Sequence, residues 1–159
     1  MTAGDPRATG APDPERAGLP RRLGALLYDG LLLLAVLMVA TALFLPLTGG
    51  EAVDPRRDPL LELVYRAVLL LLITGFFGLS WTRRGQTLGM ASWRLRLERE
   101  DGTLPGWGDV LRRLGWALVS LLPLGLGFLW IAFDPQRRAW HDRLSGTRVV
   151  VVPKGPAPR

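Results

Sequence analysis

The chain has 159 residues, enough for one domain, with 48% hydrophobic residues, 21% charged residues and a formal net charge of +6. The apolar residues stand in long blocks with the charges between them, which is not the pattern of a soluble domain. With no Cys and a single His, disulfides, thiolate catalysis and multi-histidine metal centres are excluded.

Residues 1–20 are rich in Pro, Gly and Ala and nearly free of large apolar side chains, so a disordered tail is expected there. The first apolar block, Leu23 to Leu45, follows Arg21 and Arg22 and ends at Pro46 and Gly49-Gly50. It spans roughly 34 Å as a helix, enough to cross a hydrocarbon core of about 30 Å. With no small-residue cleavage site behind it, it reads as a membrane helix and not as a removed leader. Asp29, beside Tyr28, interrupts it. A short, nearly neutral loop leads to the second block, Leu60 to Trp81, whose first turns carry Glu62 and Arg66 four residues apart, on one face and able to pair. Trp81 is expected to anchor that helix at the membrane surface.

Residues 82–109 are polar. Arg94-Leu95-Arg96-Leu97-Glu98 alternates as a strand does, Asp101-Gly102 signals a turn, and Thr147 to Val152 is a second β-prone run. The two runs are expected to pair into a small sheet against the membrane. The third apolar block, Val110 to Phe133, is broken by Arg112-Arg113 and by Pro123 with Gly125 and Gly127. Asp134-Pro135 reads as an N-cap with proline at the first helical position, predicting a short helix to about Leu144 in which Arg138 and Asp142 pair and Trp140 and Leu144 lie on the membrane.

Basic residues crowd the N-terminal tail, the second loop and the C-terminal tail, and are fewest in the first loop, where only Arg56 and Arg57 stand. The positive-inside rule places those three basic regions on the cytoplasmic side, which three straight crossings do not allow. Either the third block is a single span or it folds back at Pro123 as a re-entrant hairpin. The hairpin keeps the C-terminus cytoplasmic and is preferred, although Trp116 and Trp130 are spaced for opposite interfaces. The fold class is therefore an all-α membrane protein with two clear transmembrane helices, a third apolar segment of either form, and a small cytoplasmic β pairing. Residues 21–152 make up the membrane domain and residues 153–159 a flexible tail.

A carboxylate such as Asp29 inside an apolar helix costs a few kcal/mol unless it faces other helices or water. It is read either as a proton, cation or substrate contact or as a packing lock, linked through Tyr28, water or a second-loop Arg. Arg22 is a topology anchor or a partner for a carboxylate. Asp142 closes the Arg138 pair or reaches Arg22. His141 is read as an interface residue, because helix neighbours do not face each other. Gln86 and Thr87 are expected to cap or bond a helix end, with Gly85 and Gly89 letting the chain turn. No catalytic constellation, cofactor site or metal site is expected.

Arg22, Asp29 and Asp142, with Gly85-Gln86-Thr87-Leu88-Gly89 and the stretch FDPQRRAWHDRLSGTRVVV, resemble the signature of the RDD family of bacterial membrane proteins, named for one arginine and two aspartates. The resemblance covers roughly residues 20–152. Met90 departs from it, standing where members often carry a basic residue. The bias toward Arg, with Lys154 the one lysine, agrees with a GC-rich bacterial genome. The family's activity is not established; the resemblance implies a polytopic protein of the inner membrane, N-terminus cytoplasmic, for which transport of unidentified ligands has been suggested. We expect ion or small-solute transport by an oligomer or with a membrane partner, or else an interaction or regulatory module without transport. The lipid bilayer is its surrounding, and neither nucleic acid nor enzymatic activity is expected.

Overall fold

The computed structural model describes residues 15–54 and 56–153, so the first fourteen residues of the expected tail and the last six of the chain lie outside the described residues. Two helices of 26 residues, α1 (Leu19–Phe44) and α2 (Pro59–Arg84), are long and apolar enough to cross a membrane, each about 39 Å long. Leu45-Pro46 and Gly49 end the first, Gly49 at φ +68°. At the start of α2 the Asp58 carboxylate accepts from the Leu61 amide at 2.9 Å and proline takes the first turn. Near the far end of α1, Thr41 and Tyr65 share a hydrogen bond of 3.0 Å, and Phe44 meets Tyr65 edge-on at 5.1 Å. Glu62 and Arg66 pair as their spacing implied.

After α2 the chain turns at Gly85, in the left-handed conformation at φ +68°, where a Cβ would stand 2.7 Å from the Leu97 carbonyl oxygen. The short helix α3 (Leu88–Ser92) follows, then β1 (Leu95–Arg99) and α4 (Trp107–Leu121). β1 pairs antiparallel with β2 (Thr147–Val151), Leu97 opposite Val149, so the sheet read from the alternation is present. Residues assigned to the N-terminal tail join it: the Val151 amide donates to the Glu15 carbonyl at 2.7 Å and the Ala17 amide to the Val149 carbonyl at 3.1 Å. The segments before α1, after α2 and at the end of the described chain thus converge. The buried core lies among them, built on Ala17, Ala25, Trp81, Met90, Leu95, Leu97, Val110 and Val149.

The third apolar block is not straight. α4 and the following short helix, α5 (Leu126–Leu129) with its 3-10 extension to Ala132, meet at 108°. Leu124 at φ +53° and Gly125 at φ +78° make the corner. Its amides are bonded locally, Gly125 to the Leu121 carbonyl at 3.0 Å and Leu126 to that of Pro123 at 3.0 Å, as an apolar surrounding demands. Gly127 allows the arms to close, since a Cβ there would come within 2.8 Å of the Ser120 Cβ. Leu122 and Leu124 at the tip are 81% and 96% exposed, which suits lipid and not water.

Two expectations need correction. The helix foreseen from Pro135 starts only at Trp140: α6 runs Trp140–Ser145, and Arg137 at φ +51° breaks the chain before it. Asp134 still caps, its carboxylate accepting from the Arg138 amide at 2.8 Å, but what it closes is a turn. Trp81 is not a surface anchor. It is buried, its indole N–H pointing at the Met90 sulfur at 3.4 Å, and its ring lies under the Arg113 guanidinium at 5.4 Å.

Candidate functional site

Asp142 is fully buried at the start of α6. Its Oδ2 accepts from Arg22 Nη1 at 2.5 Å and from the Ala139 amide at 3.0 Å; its Oδ1 accepts from Arg113 Nη1 at 2.6 Å. One carboxylate thus holds α1, α4 and the N-terminus of α6 together. Both arginines make further hydrogen bonds, Arg22 from its other nitrogens and Arg113 from the same Nη1. Arg22 donates to the Ala17 carbonyl at 3.1 Å and to that of Arg137 at 2.9 Å, and Arg113 to Thr147 Oγ1 at 2.7 Å. A buried charge network is tolerable only when its members are paired in this way. Burial alone would raise the Asp142 carboxyl, but Arg113 and Arg22 outweigh it and hold the group well below the usual carboxylate range.

Of the two partners open to Asp142, the structure selects Arg22. Arg138 instead pairs with Glu100, and its side chain takes no part in the network. Arg113, noted in the sequence only as part of the Arg112-Arg113 break in the third apolar block, is the missed member. Its position inside an apolar block was the available signal, because a charge there needs a partner.

Asp29, also buried, has neither Tyr28 nor an arginine as its hydrogen-bond partner among the described residues. Its Oδ2 accepts from the Thr87 hydroxyl at 2.5 Å and its Oδ1 from the Gly89 amide at 2.8 Å. The Thr87 oxygen in turn accepts from the Met90 amide at 3.1 Å, capping α3, so Thr87 does cap a helix start. Gln86 points elsewhere, donating from Nε2 to the Leu95 carbonyl at 2.8 Å at the edge of β1. The family-like Gly-Gln-Thr-Leu-Gly segment therefore seats α3 against the Asp29 turn of α1. Gly89 is where they touch: a Cβ there would overlap the Ala25 carbonyl oxygen and stand 2.8 Å from the Asp29 Cγ. We expect Gly89→Ala to cost about 1–3 kcal/mol, read as a lowered melting temperature in detergent, since neither contact is the flexible end of a long side chain. An unchanged melting temperature would show that α3 and α1 are not in such contact.

His141 is buried rather than interfacial. Its ring stacks on Phe128 at 5.9 Å, its Nε2 lies 3.6 Å from Asp142 Oδ1, and its Nδ1 is buried without a hydrogen-bond partner among the described residues. Burial first, and then the Arg113 and Arg22 charges against that of Asp142, push its pKa down to about 3, so it is neutral at pH 7.

Between these groups lies a cavity of about 90 Å³, lined by Arg22, Asp29, Arg113 and His141 with apolar walls from Phe77, Trp81, Met90 and Phe128. That is room for several waters beside polar partners. Among the described residues no group of three His, Cys, Asp or Glu side chains is placed to hold a metal ion.

Neither the curated proteins nor the solved structures offer a match to this chain. The RDD family model matches residues 16–146, a stretch that holds Arg22, Asp29 and Asp142 together with the helices that position them. On that match, and on two apolar helices of membrane-spanning length, the chain belongs to the RDD family of membrane-type proteins.

Proposed function

We propose that this protein moves an ion or a small solute across a bacterial inner membrane, as a self-associated bundle or with a membrane partner. The observation that carries this reading is the cavity shared by Asp29, His141, Arg22 and Arg113. Polar groups enclosed among apolar helices in this way mark ion and substrate pathways. At about 90 Å³ the space suits a proton carried on water, a bare ion or a solute of a few heavy atoms. Two spans and a bent pair are too few to enclose a path alone, hence the second subunit. In this reading the protein is not an enzyme and binds no nucleic acid.

The same reading makes the third apolar block a re-entrant hairpin. Residues 15–17, β1 and β2 pair with one another, and the basic residues gather in the same regions. This supports an N-terminus, second loop and C-terminus on one side, the cytoplasm by the positive-inside rule. A C-terminal tag accessible only from outside intact cells would end this topology.

Asp29→Asn in proteoliposomes is expected to lower ion- or pH-driven flux at least about tenfold while the melting temperature moves by only a few degrees. Unaltered flux, or lost flux together with lost folding, would assign Asp29 to packing. The second reading is a membrane-embedded interaction or regulatory module. It is favoured by the hydrogen bonds that already occupy Asp29 and Asp142, and it expects no flux from the wild-type protein and a specific crosslinked partner in the membrane.

A further inference from the structure

A second recess, of about 300 Å³, opens between the last turn of α2 and α3. Its polar lining is Ser80, Arg83, Arg84, Gln86 and Thr87, whose hydroxyl is already given to Asp29, and its rim carries Leu79 and Leu88, 46% and 60% exposed. Neither Arg83 nor Arg84 has a carboxylate partner among the described residues, and no acidic side chain lines the recess. Ser80 gives its proton to the Phe76 carbonyl, and Gln86 uses one amide hydrogen on the Leu95 carbonyl, leaving the other. The donors on offer are therefore two guanidinium groups and one amide, a set that fits a phosphate.

Position narrows the source of that phosphate. At about 39 Å, α2 is longer than a hydrocarbon core of about 30 Å, so its last turn reaches the headgroup layer. Leu79 lies one turn before Arg83, toward the bilayer, and Leu88 bounds the other side. We propose that this recess is a headgroup site for an anionic phospholipid, with Arg83 and Arg84 on the phosphate and an acyl chain along Leu79 and Leu88. A soluble phosphate would leave both leucines in water, and arginines that served only the C-terminal dipole of α2 would show no lipid preference. The site opens outside the Asp29 cavity, and lipid binding there can be read without any transport measurement.

The test is native mass spectrometry of the full-length protein in neutral detergent, titrated separately with phosphatidylglycerol, phosphatidylcholine and inorganic phosphate. One phosphatidylglycerol should bind roughly ten- to thirtyfold more tightly than phosphatidylcholine, as two surface arginines at about 1 kcal/mol each imply. R83Q/R84Q should erase that preference, and R94Q/R96Q, which removes two exposed arginines outside the recess, should keep it. Equal binding of the two lipids by the wild type, or a preference that survives R83Q/R84Q, overturns the site. So does an equal loss in R94Q/R96Q, which would mean a diffuse basic surface, or displacement of the lipid by millimolar phosphate, which would mean a phosphate site only. If R83Q/R84Q does not fold, the wild-type lipid comparison and R94Q/R96Q still decide the matter.

Discussion

Asp142→Asn is expected to destabilise the protein by about 3–5 kcal/mol, the usual cost of removing one partner from a buried charge pair. In detergent this corresponds to a fall in melting temperature of roughly 10 °C or more, or to a failure to accumulate in the membrane. The carboxylate is fully buried and faces two buried arginines at 2.5 and 2.6 Å, offsetting one of their two positive charges and hydrogen-bonding both. An asparagine of the same shape can still accept one hydrogen bond but leaves both positive charges uncompensated. The triple replacement Arg22→Met, Arg113→Met, Asp142→Leu should cost less than Asp142→Asn alone, because it removes the charges together. It should not recover fully, since the Ala139 amide and Thr147 hydroxyl lose partners. Equal melting of Asp142→Asn and wild type would show that the network contributes nothing to folding.

Acid should destabilise the protein from near neutrality, and His141 should be the cause. Its pKa falls from 6.5 to about 3 on folding, so the unfolded chain takes up a proton that the folded chain refuses. Stability from this group is complete above pH 6.5 and declines as the pH falls toward 3. Each unit of difference is worth about 1.4 kcal/mol, so the loss reaches roughly a few kcal/mol across the window. Asp134 and Asp142 work lower down. Both carboxyls are depressed on folding, so their contributions are present above pH 3.8 and fade below it. His141 is the chain's one histidine, which makes melting between pH 7 and 4.5 a nearly isolated readout. His141→Phe should flatten that dependence. Phenylalanine keeps the stack on Phe128, loses an unpartnered Nδ1 and an Nε2 that lies 3.6 Å from Asp142 Oδ1, and has the neighbouring cavity to expand into. A variant with the same acid slope as the wild type would locate the titration elsewhere, and its downward-shifted pKa would then not describe the folded protein.

Much of this architecture was written in local patterns. Apolar runs of 23 and 22 residues between arginines and prolines, interrupted only by Asp29 in the first and by Glu62 and Arg66 in the second, become helices, because a helix satisfies its backbone groups within one segment in lipid. The alternation at Arg94 to Glu98 and the run from Thr147 became strands, and Pro123 with its glycines marked the corner, because side-chain period and φ restriction act over a few residues. The sequence also singled out Arg22, Asp29 and Asp142 as polar residues needing company.

Which companions they have was decided by tertiary structure alone. Arg22 and Asp142 lie 120 residues apart, Asp29 and Thr87 lie 58 apart, and no spacing rule reaches so far. The local pair that spacing favoured, Arg138 with Asp142, lost because α6 begins too late and a left-handed residue turns Arg138 toward Glu100. Trp81 and His141 look amphipathic in sequence and are buried in fact, since the sheet, α3 and the bent third segment close over them. Burial is a property of what packs on a residue, and that comes from segments joined only when the chain folds.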